Sequence, residues 1–336
     1  MRTLSLLALA SLFFLPACGA ESAGGSGDGP TYAFVTNCVD PFWTLAKAGV
    51  LDAEAELGVN CVVVMPESDG GADQQRRMEE LLARGVAGIA ISPANAENQV
   101  DMLNEAAAQT ILITHDSDAP LSERRYFIGV DNYSAGRACG KLVREALPEG
   151  GDVMLFIGNM DQDNSKLRRQ GVIDELLERS FDRERFDPLG EIVAGNGFRV
   201  LDTRTDGTDV AVAQANAEDA LVAHPELAAM VGLFNSNPPA CLQALEGAGR
   251  LGEVVIAGFD ENEVTLQGIA DGHIVGTVSQ DPYQYGYQAV HLLHKLAQGE
   301  GELPEDVWMP TELAVVTSDN VDAFRTELAR QLEAGQ

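Results

Sequence analysis

From Thr31 onward the chain alternates short apolar runs with amphipathic stretches. The runs fall at 32–35, 61–65, 88–91, 110–114, 126–130, 153–157, 230–234, 254–259 and 274–278. Each is nearly continuous and rich in Val and Ile, the pattern of a strand covered on both faces. The stretches between them carry helical spacing and readable stops, such as Gly58 after Leu57 and Gly85 after Arg84. Strand and helix in alternation predict an α/β chain of parallel sheets with crossover helices.

Polar residues gather just past the carboxyl ends of these runs: Thr36, Asn37, Ser92, His115, Asp116, Asp131, Asn132, Asn159, Asn235, Asp260 and Gln280. In open α/β sheets that edge is where ligands bind. Loops are polar in any case, and several of these side chains would serve equally as helix caps. Their recurrence at equivalent positions points to a cleft between two sheets. Length agrees, because one hydrophobic core stops growing at about 250–300 residues and this chain has 336.

The N-terminus reads as an export signal. Arg2 precedes an apolar stretch at 4–15, which is too short to span a bilayer. Leu15-Pro16-Ala17-Cys18 then resembles the lipobox of bacterial lipoproteins, with Pro16 unusual for it; the resemblance implies cleavage of 1–17 and diacylation of Cys18. Ordinary secretory cleavage near Ala17 or Ala20 is the competing reading. Residues 18–30 form a Gly/Ser-rich tether. No later segment is long enough to be transmembrane.

The formal net charge of −30 argues against a nucleic-acid partner, which needs clustered Lys and Arg. Beyond Cys18 the cysteines are Cys38, Cys61, Cys139 and Cys241, none at C-x-x-C spacing, so no zinc or redox site is expected. One disulfide outside the cytoplasm stays open. His291 and His294 lack a third ligand and read as a solvated helix face. The acidic stretch Asp161-Gln162-Asp163-Asn164 lacks the central Gly and terminal Glu of a calcium loop. Gly136 to Lys141 fails the spacing of a phosphate loop, and Leu142 stands where Ser or Thr is required. Neither a hydrolase nucleophile motif nor a metalloprotease motif is present. No cofactor, metal or catalytic residue is predicted.

Several side chains suit a small polar ligand. Asp40 is a natural N-cap with Pro41 at the first helical position. Phe42 falls on the apolar stripe of the helix that follows. Trp43 falls at its margin, where a flat apolar face could meet sugar C–H groups. Arg168 could donate a rigid fork of hydrogen bonds, against a surface ion pair with Asp163 or Glu175; Arg169 fits the surface role better. Asp260 and Gln280 end buried runs with an acid and an amide.

From residue 31 to about 321 the chain resembles the type I periplasmic sugar-binding proteins of the ribose-binding group. The segments that carry the likeness include Asn37…Asp40-Pro41-Phe42-Trp43, Ile113-Thr114-His115-Asp116, Gly129-Val130-Asp131-Asn132, Arg168…Gly171, Ala257-Gly258-Phe259-Asp260 and Val278-Ser279-Gln280. The resemblance implies a periplasmic binding protein-like type I fold, two doubly wound parallel-sheet lobes joined by a three-strand hinge. It implies crossings near Asp131, Gln280 and Trp308 to Pro310. The lobes would be 31–130 plus 281–309, and 131–280 plus 310–336. Sugar contacts carried over fall on Thr36, Asp40, Phe42, Trp43, Asp116, Arg168, Asn235 or Asn237, Asp260 and Gln280. The implied function is extracytoplasmic capture of a pentose or hexose and delivery to the permease of an ABC importer. The implied protein is a monomer on its lipid anchor, not an enzyme. Alternatives within the fold are a ligand sensor for a chemoreceptor or sensor kinase, or a binder of a polyol or an amine-bearing ligand. A repressor of the same fold would need a basic helix-turn-helix where the signal peptide stands.

This chain departs from the ribose pattern. Asp40 replaces an Asn, Ser117 an Arg, and a residue near Thr208 an aromatic. The loop from Asn235 to Pro239 also differs. One basic donor is lost and one acid gained, which leaves ribose itself open as the ligand.

Overall fold

The computed structural model describes residues 29–67, 71–299 and 306–334. The proposed signal peptide, Cys18 and nearly all of the tether lie outside the described residues. The chain begins with β1 (Thr31–Val35), α1 (Phe42–Leu57), β2 (Asn60–Val64), α2 (Ala72–Ala83), β3 (Gly88–Ile91), α3 (Val100–Gln109), β4 (Ile111–His115) and β5 (Phe127–Gly129). It then enters α4 (Asn132–Ala146), β6 (Gly151–Ile157), α5 (Asp163–Leu176), β7 (Val193–Gly195), β8 (Phe198–Thr205), α6 (Val210–Ala223) and β9 (Leu227–Gly232). After these come α7 (Asn237–Ala248), β10 (Val255–Phe259), α8 (Glu263–Ala270) and β11 (Gly276–Ser279). It ends with α9 (Pro282–Gln298), β12 (Trp308–Pro310), β13 (Ala314–Val316) and α10 (Val321–Ala334).

Two sheets result. The first runs β12-β5-β4-β3-β1-β2, and all its pairings are parallel. The second runs β13-β11-β10-β9-β6-β8-β7, parallel except for its two antiparallel edge strands, β7 and β13. The chain passes between the sheets after β5, after β11 and after β12. In both sheets the strand order reverses direction within the sheet, which opens a crevice at the carboxyl ends.

Period-two alternation explains how each sheet is covered on both sides. On β1, Tyr32 and Phe34 join a cluster with Trp43, Ala46, Val50, Tyr285 and Ala289, whereas Ala33 and Val35 face Met78, Leu81, Leu103 and Ala106. In the second sheet Leu155 and Ile157 pack with Val172 and Ile173, and Met154 and Phe156 with Ala217, Cys241 and Leu245.

Two helix pairs approach to backbone contact. A Cβ on Gly49 of α1 would lie 2.0 Å from the Tyr283 carbonyl, and one on Gly286 of α9 would lie 1.9 Å from that of Ala46. In α4 and α5 the same applies to Gly136, 2.2 Å from the Arg168 carbonyl, and to Gly171, 2.2 Å from that of Tyr133. Gly136, which superficially echoed a phosphate loop, is thus a helix-packing residue.

All nine apolar runs form strands, but β7, β8, β12 and β13 were not among them. β8 alternates apolar with charged residues (FRVLDTRT), and the other three have three residues each, too short for a pattern to register. Arg169 is a second correction. It is buried, donating to Thr203 Oγ1 at 2.8 Å and to the carbonyls of Asp187 and Pro188. His294 is half-buried and pairs with the Tyr32 hydroxyl at 3.1 Å. Cys61, Cys139 and Cys241 are buried free thiols. Among the described residues no helix is long and apolar enough to cross a membrane.

Candidate ligand-binding cleft

The carboxyl ends of the two sheets face one another across a cavity. Its lining includes Asn37, Asp40, Phe42, Trp43, Asp116, Arg168, Asn235, Asp260 and Gln280. It encloses ≈ 410 Å³ of space between atoms, part of it open to solvent. That falls within the roughly 300–1,000 Å³ usual for small-molecule sites.

Backbone geometry places the acids. Asp116 follows β4 and Asp260 follows β10, both in the left-handed region at φ 57° and 71°. An L residue with a short polar side chain tolerates that conformation, and the sharp turn ends each strand at the cleft. Asp116 accepts from Ser92 Oγ at 2.8 Å and from Asn164 Nδ2 at 3.3 Å. Asp260 accepts from Gln280 Nε2 at 2.6 Å. Asp40 sits just before α1. The cap position is held by Pro41 rather than by Asp40, yet the Asp40 carboxylate still accepts from the Phe42 N–H at 2.8 Å.

Arg168 organises the floor. It is 2% exposed, and α5 presents it one turn after Asn164. Nε donates to Asn132 Oδ1 at 2.8 Å, Nη1 to the Leu233 carbonyl at 3.2 Å, and Nη2 to Gln280 Oε1. Its guanidinium lies over the rings of Phe259 and Phe234, at 4.9 and 5.7 Å from their centroids. Asp116 stands 3.6 Å away. Arg168 therefore makes no surface ion pair with Asp163 or Glu175.

Aromatic rings form one wall. Trp43 is almost fully buried, against the marginal position its spacing predicted, and lies edge-on to Phe42 at 4.9 Å. It packs in the core of the first sheet and lines the cavity at once.

Burial dominates the electrostatics. It raises the Asp116 carboxyl, with Arg168, Ser92 and Asn164 pulling the other way. It pushes Asp260 up to about 7, with Arg168 and Gln280 opposing and Asp116 and Asp40 adding to the rise. Asp40 is raised by burial and partly restored by the Phe42 N–H and Asn235.

Contacts span the cleft from one side to the other. Asn235 Nδ2 donates to Asp40 Oδ1 at 2.9 Å, Asn164 reaches Asp116, and Lys166 pairs with Glu97 at 2.7 Å.

Of the residues singled out from the sequence, Asp40, Phe42, Trp43, Asp116, Arg168, Asn235, Asp260 and Gln280 line this cavity together. Two do not. The Thr36 hydroxyl donates to the Cys38 carbonyl at 2.7 Å, and Asn237 is spent on the Phe234 N–H and Asp206. Sequence reasoning missed Gln162, Asn164 and Phe234 as lining residues. The signal for Asn164 was present, since it precedes Arg168 by four and shares its helix face. Asp131 caps α4 instead, accepting from the N–H groups of Tyr133 and Ser134. Among the described residues no group of His, Cys, Asp or Glu is arranged to hold a metal.

Comparison with known proteins agrees with this arrangement. The model of the periplasmic binding protein domain matches residues 32–301. The ribose import binding protein of Escherichia coli K12 is 26% identical over 296 residues, covering 87% of this chain and 93% of the relative. The D-allose-binding periplasmic protein of the same organism is 23% identical, covering 82% and 87%. Among solved structures, an ABC transporter solute-binding protein from Burkholderia graminis C4D1M in complex with D-arabinose aligns at a TM-score of 0.79. It is 28% identical, with 88% of this chain and 98% of that one covered. A glucose-galactose binding protein from Geobacillus stearothermophilus aligns at 0.77 with 25% identity, covering 87% and 98%. With two parallel-sheet lobes closing on a polar and aromatic cavity, this chain belongs to the periplasmic binding protein domain family.

Proposed function

We propose that the protein captures a small sugar, a pentose or hexose, in the interlobe cleft and hands it to an ABC importer. The observation that carries the reading is the pairing of Arg168 with Asp116 and Gln280 beneath aromatic walls. Sugar hydroxyls both donate and accept, so each can bridge a carboxylate and a guanidinium or amide. Sugar C–H faces pack against flat rings such as Trp43. Three of the five guanidinium N–H groups are taken by protein acceptors, which leaves two for a ligand. Asp40, Phe42, Trp43, Asp116, Arg168, Asn235, Asp260 and Gln280 are the proposed contacts. The lobes are proposed as 31–130 with 281–309, and 131–280 with 310–336. The permease of an ABC importer is the proposed partner, and the protein acts as a monomer without catalysis.

The N-terminus supports export and anchoring. We place lipidation at Cys18, with 1–17 removed as a signal peptide and 18–30 as the leash. A Cys18→Ser variant should lose incorporation of labelled palmitate in cells; retained label would refute the anchor.

The binding test is a thermal shift against pentoses and hexoses, since a ligand that binds only the native state raises Tm by mass action. At least one sugar should raise Tm, and Trp43→Ala and Asp260→Ala should each abolish the shift. No shift with any sugar would sink the reading. An undiminished shift in both variants would move the site elsewhere. Turnover of a sugar by the purified protein would overturn the absence of catalysis.

A further inference from the structure

The charges around the cavity do not balance. Three carboxylates line it, Asp40, Asp116 and Asp260, against one cation, Arg168. Arg168 is 3.6 Å from Asp116 and shares Gln280 with Asp260, so those two acids lie within its field. Asp40 does not. Its interactions are a backbone N–H and the neutral amide of Asn235, and among the described residues no cation acts on it. Both bonds fall on Oδ1, and among the described residues no donor reaches Oδ2. Asp40 is half-buried, and a ligand seated over it removes its remaining water; a carboxylate desolvated without a counter-charge is costly, and a neutral ligand leaves that cost in place.

A second observation points the same way. Gln162 and Asn164 line the cavity 1% and 2% exposed, yet Gln162 Oε1 and Asn164 Oδ1 have no hydrogen-bond partner. Buried acceptors in native proteins are ordinarily satisfied. Apart from the two guanidinium N–H groups of Arg168 left for a ligand, the unmet groups in this cavity are acceptors, and Asp40 adds a demand for positive charge. A hydroxyl brings one donor and no charge. A primary ammonium brings three donors, no acceptor and one positive charge.

We infer that the cleft is built for a sugar or polyol bearing a protonated primary amine, with Asp40 Oδ2 as the seat of the ammonium and Arg168 with Asp116 and Asp260 holding the hydroxyls. A bare metal ion does not meet the same demand, because the carboxylates are not gathered on one point. The inference rests on the sugar-binding reading above and narrows it to a ligand class.

Calorimetric titration of ligand-free protein tests it. The probes are the 2-amino, 3-amino and 6-amino deoxy derivatives of D-glucose and D-galactose, an amino-deoxy inositol, each parent compound, and the N-acetyl form of each amine. At least one amine should bind ten-fold or more tighter than its own parent, and acetylation should erase the gain. Asp40→Asn keeps an oxygen for the Phe42 N–H but removes the charge. In that variant the ratio of amine to parent affinity should fall below three-fold, whatever happens to either affinity alone. If parents bind and every amine binds equally or more weakly, the amine inference is overturned and sugar capture stands. If neither parents nor amines bind, both readings fall. A preference that persists in Asp40→Asn removes Asp40 as its seat.

Discussion

Replacing Arg168 with Met tests whether the guanidinium organises the cleft before any ligand arrives. Met keeps most of the length and the apolar contact with Phe234 and Phe259. It removes the charge 3.6 Å from Asp116. At that separation, and at an effective dielectric of about 20, the lost attraction is about 4–5 kcal/mol. The variant also strips donors from Asn132 Oδ1, the Leu233 carbonyl and Gln280 Oε1. Water entering from the open side of the cavity repays part of this. The net loss, read from urea unfolding of ligand-free protein at pH 7, should be about 3–5 kcal/mol, the usual cost of breaking a buried pair from one side.

The pH dependence of that loss carries a sharper signature. Burial already holds the Asp116 carboxyl above its usual range, and Arg168 is the largest force opposing that rise. Without Arg168 the carboxyl moves higher still. A carboxyl raised on folding costs stability while it is ionised, and the cost disappears once it is protonated. The deficit of Arg168→Met should therefore be largest at neutral pH and shrink as pH falls toward 4. A loss below about 1 kcal/mol, or one flat with pH, would refute the reasoning, because it would mean the pair is hydrated in the native state.

Two further outcomes follow from the same geometry. Burial lifts Asp260 to about 7 and Glu261 to about 8, well above their unfolded values. The folded state then holds more protons than the unfolded state up to that range, so ligand-free stability should fall as pH rises from about 6.5 to about 8. The window starts there because buried His115, lowered to about 3 by desolvation, acts oppositely below the unfolded histidine value of about 6.5. A urea series showing flat or rising stability across that interval would contradict it. In Gly171→Ala the new methyl would sit 2.2 Å from the Tyr133 carbonyl, forcing α5 off α4 and Arg168 with it. Overpacking of this kind costs about 1–3 kcal/mol, and calorimetry should show weaker binding of whichever sugar the panel identifies; full affinity at reduced stability would separate helix packing from the cleft.

The fold was legible because fully covered strands have a distinctive sequence. A parallel strand packed on both faces must be apolar at nearly every position, and all nine such runs became strands. A strand near the rim of a sheet escapes that requirement, and β8, paired between β6 and the short edge strand β7, carries Arg199, Asp202 and Arg204 and did not announce itself. Position along the chain also located most of the cleft, because strand ends in parallel sheets converge on one edge.

Direction and partnership were decided only in three dimensions. Thr36 and Asn237 stand at strand ends like the lining residues, yet their side chains turn to local backbone and to Asp206. Arg168 and Arg169 are adjacent and chemically identical, but α5 sends one over Phe259 into the cleft and the other over Phe186. Successive residues on a helix are rotated by about 100°, so which arginine meets the ligand depends on which face of α5 the glycine contact with α4 presses against the sheet. Sequence alone determined the alternation, the acid excess and the strand ends. The packing of two helices settled which charges share the cavity, and left Asp40 there without a cation among the described residues.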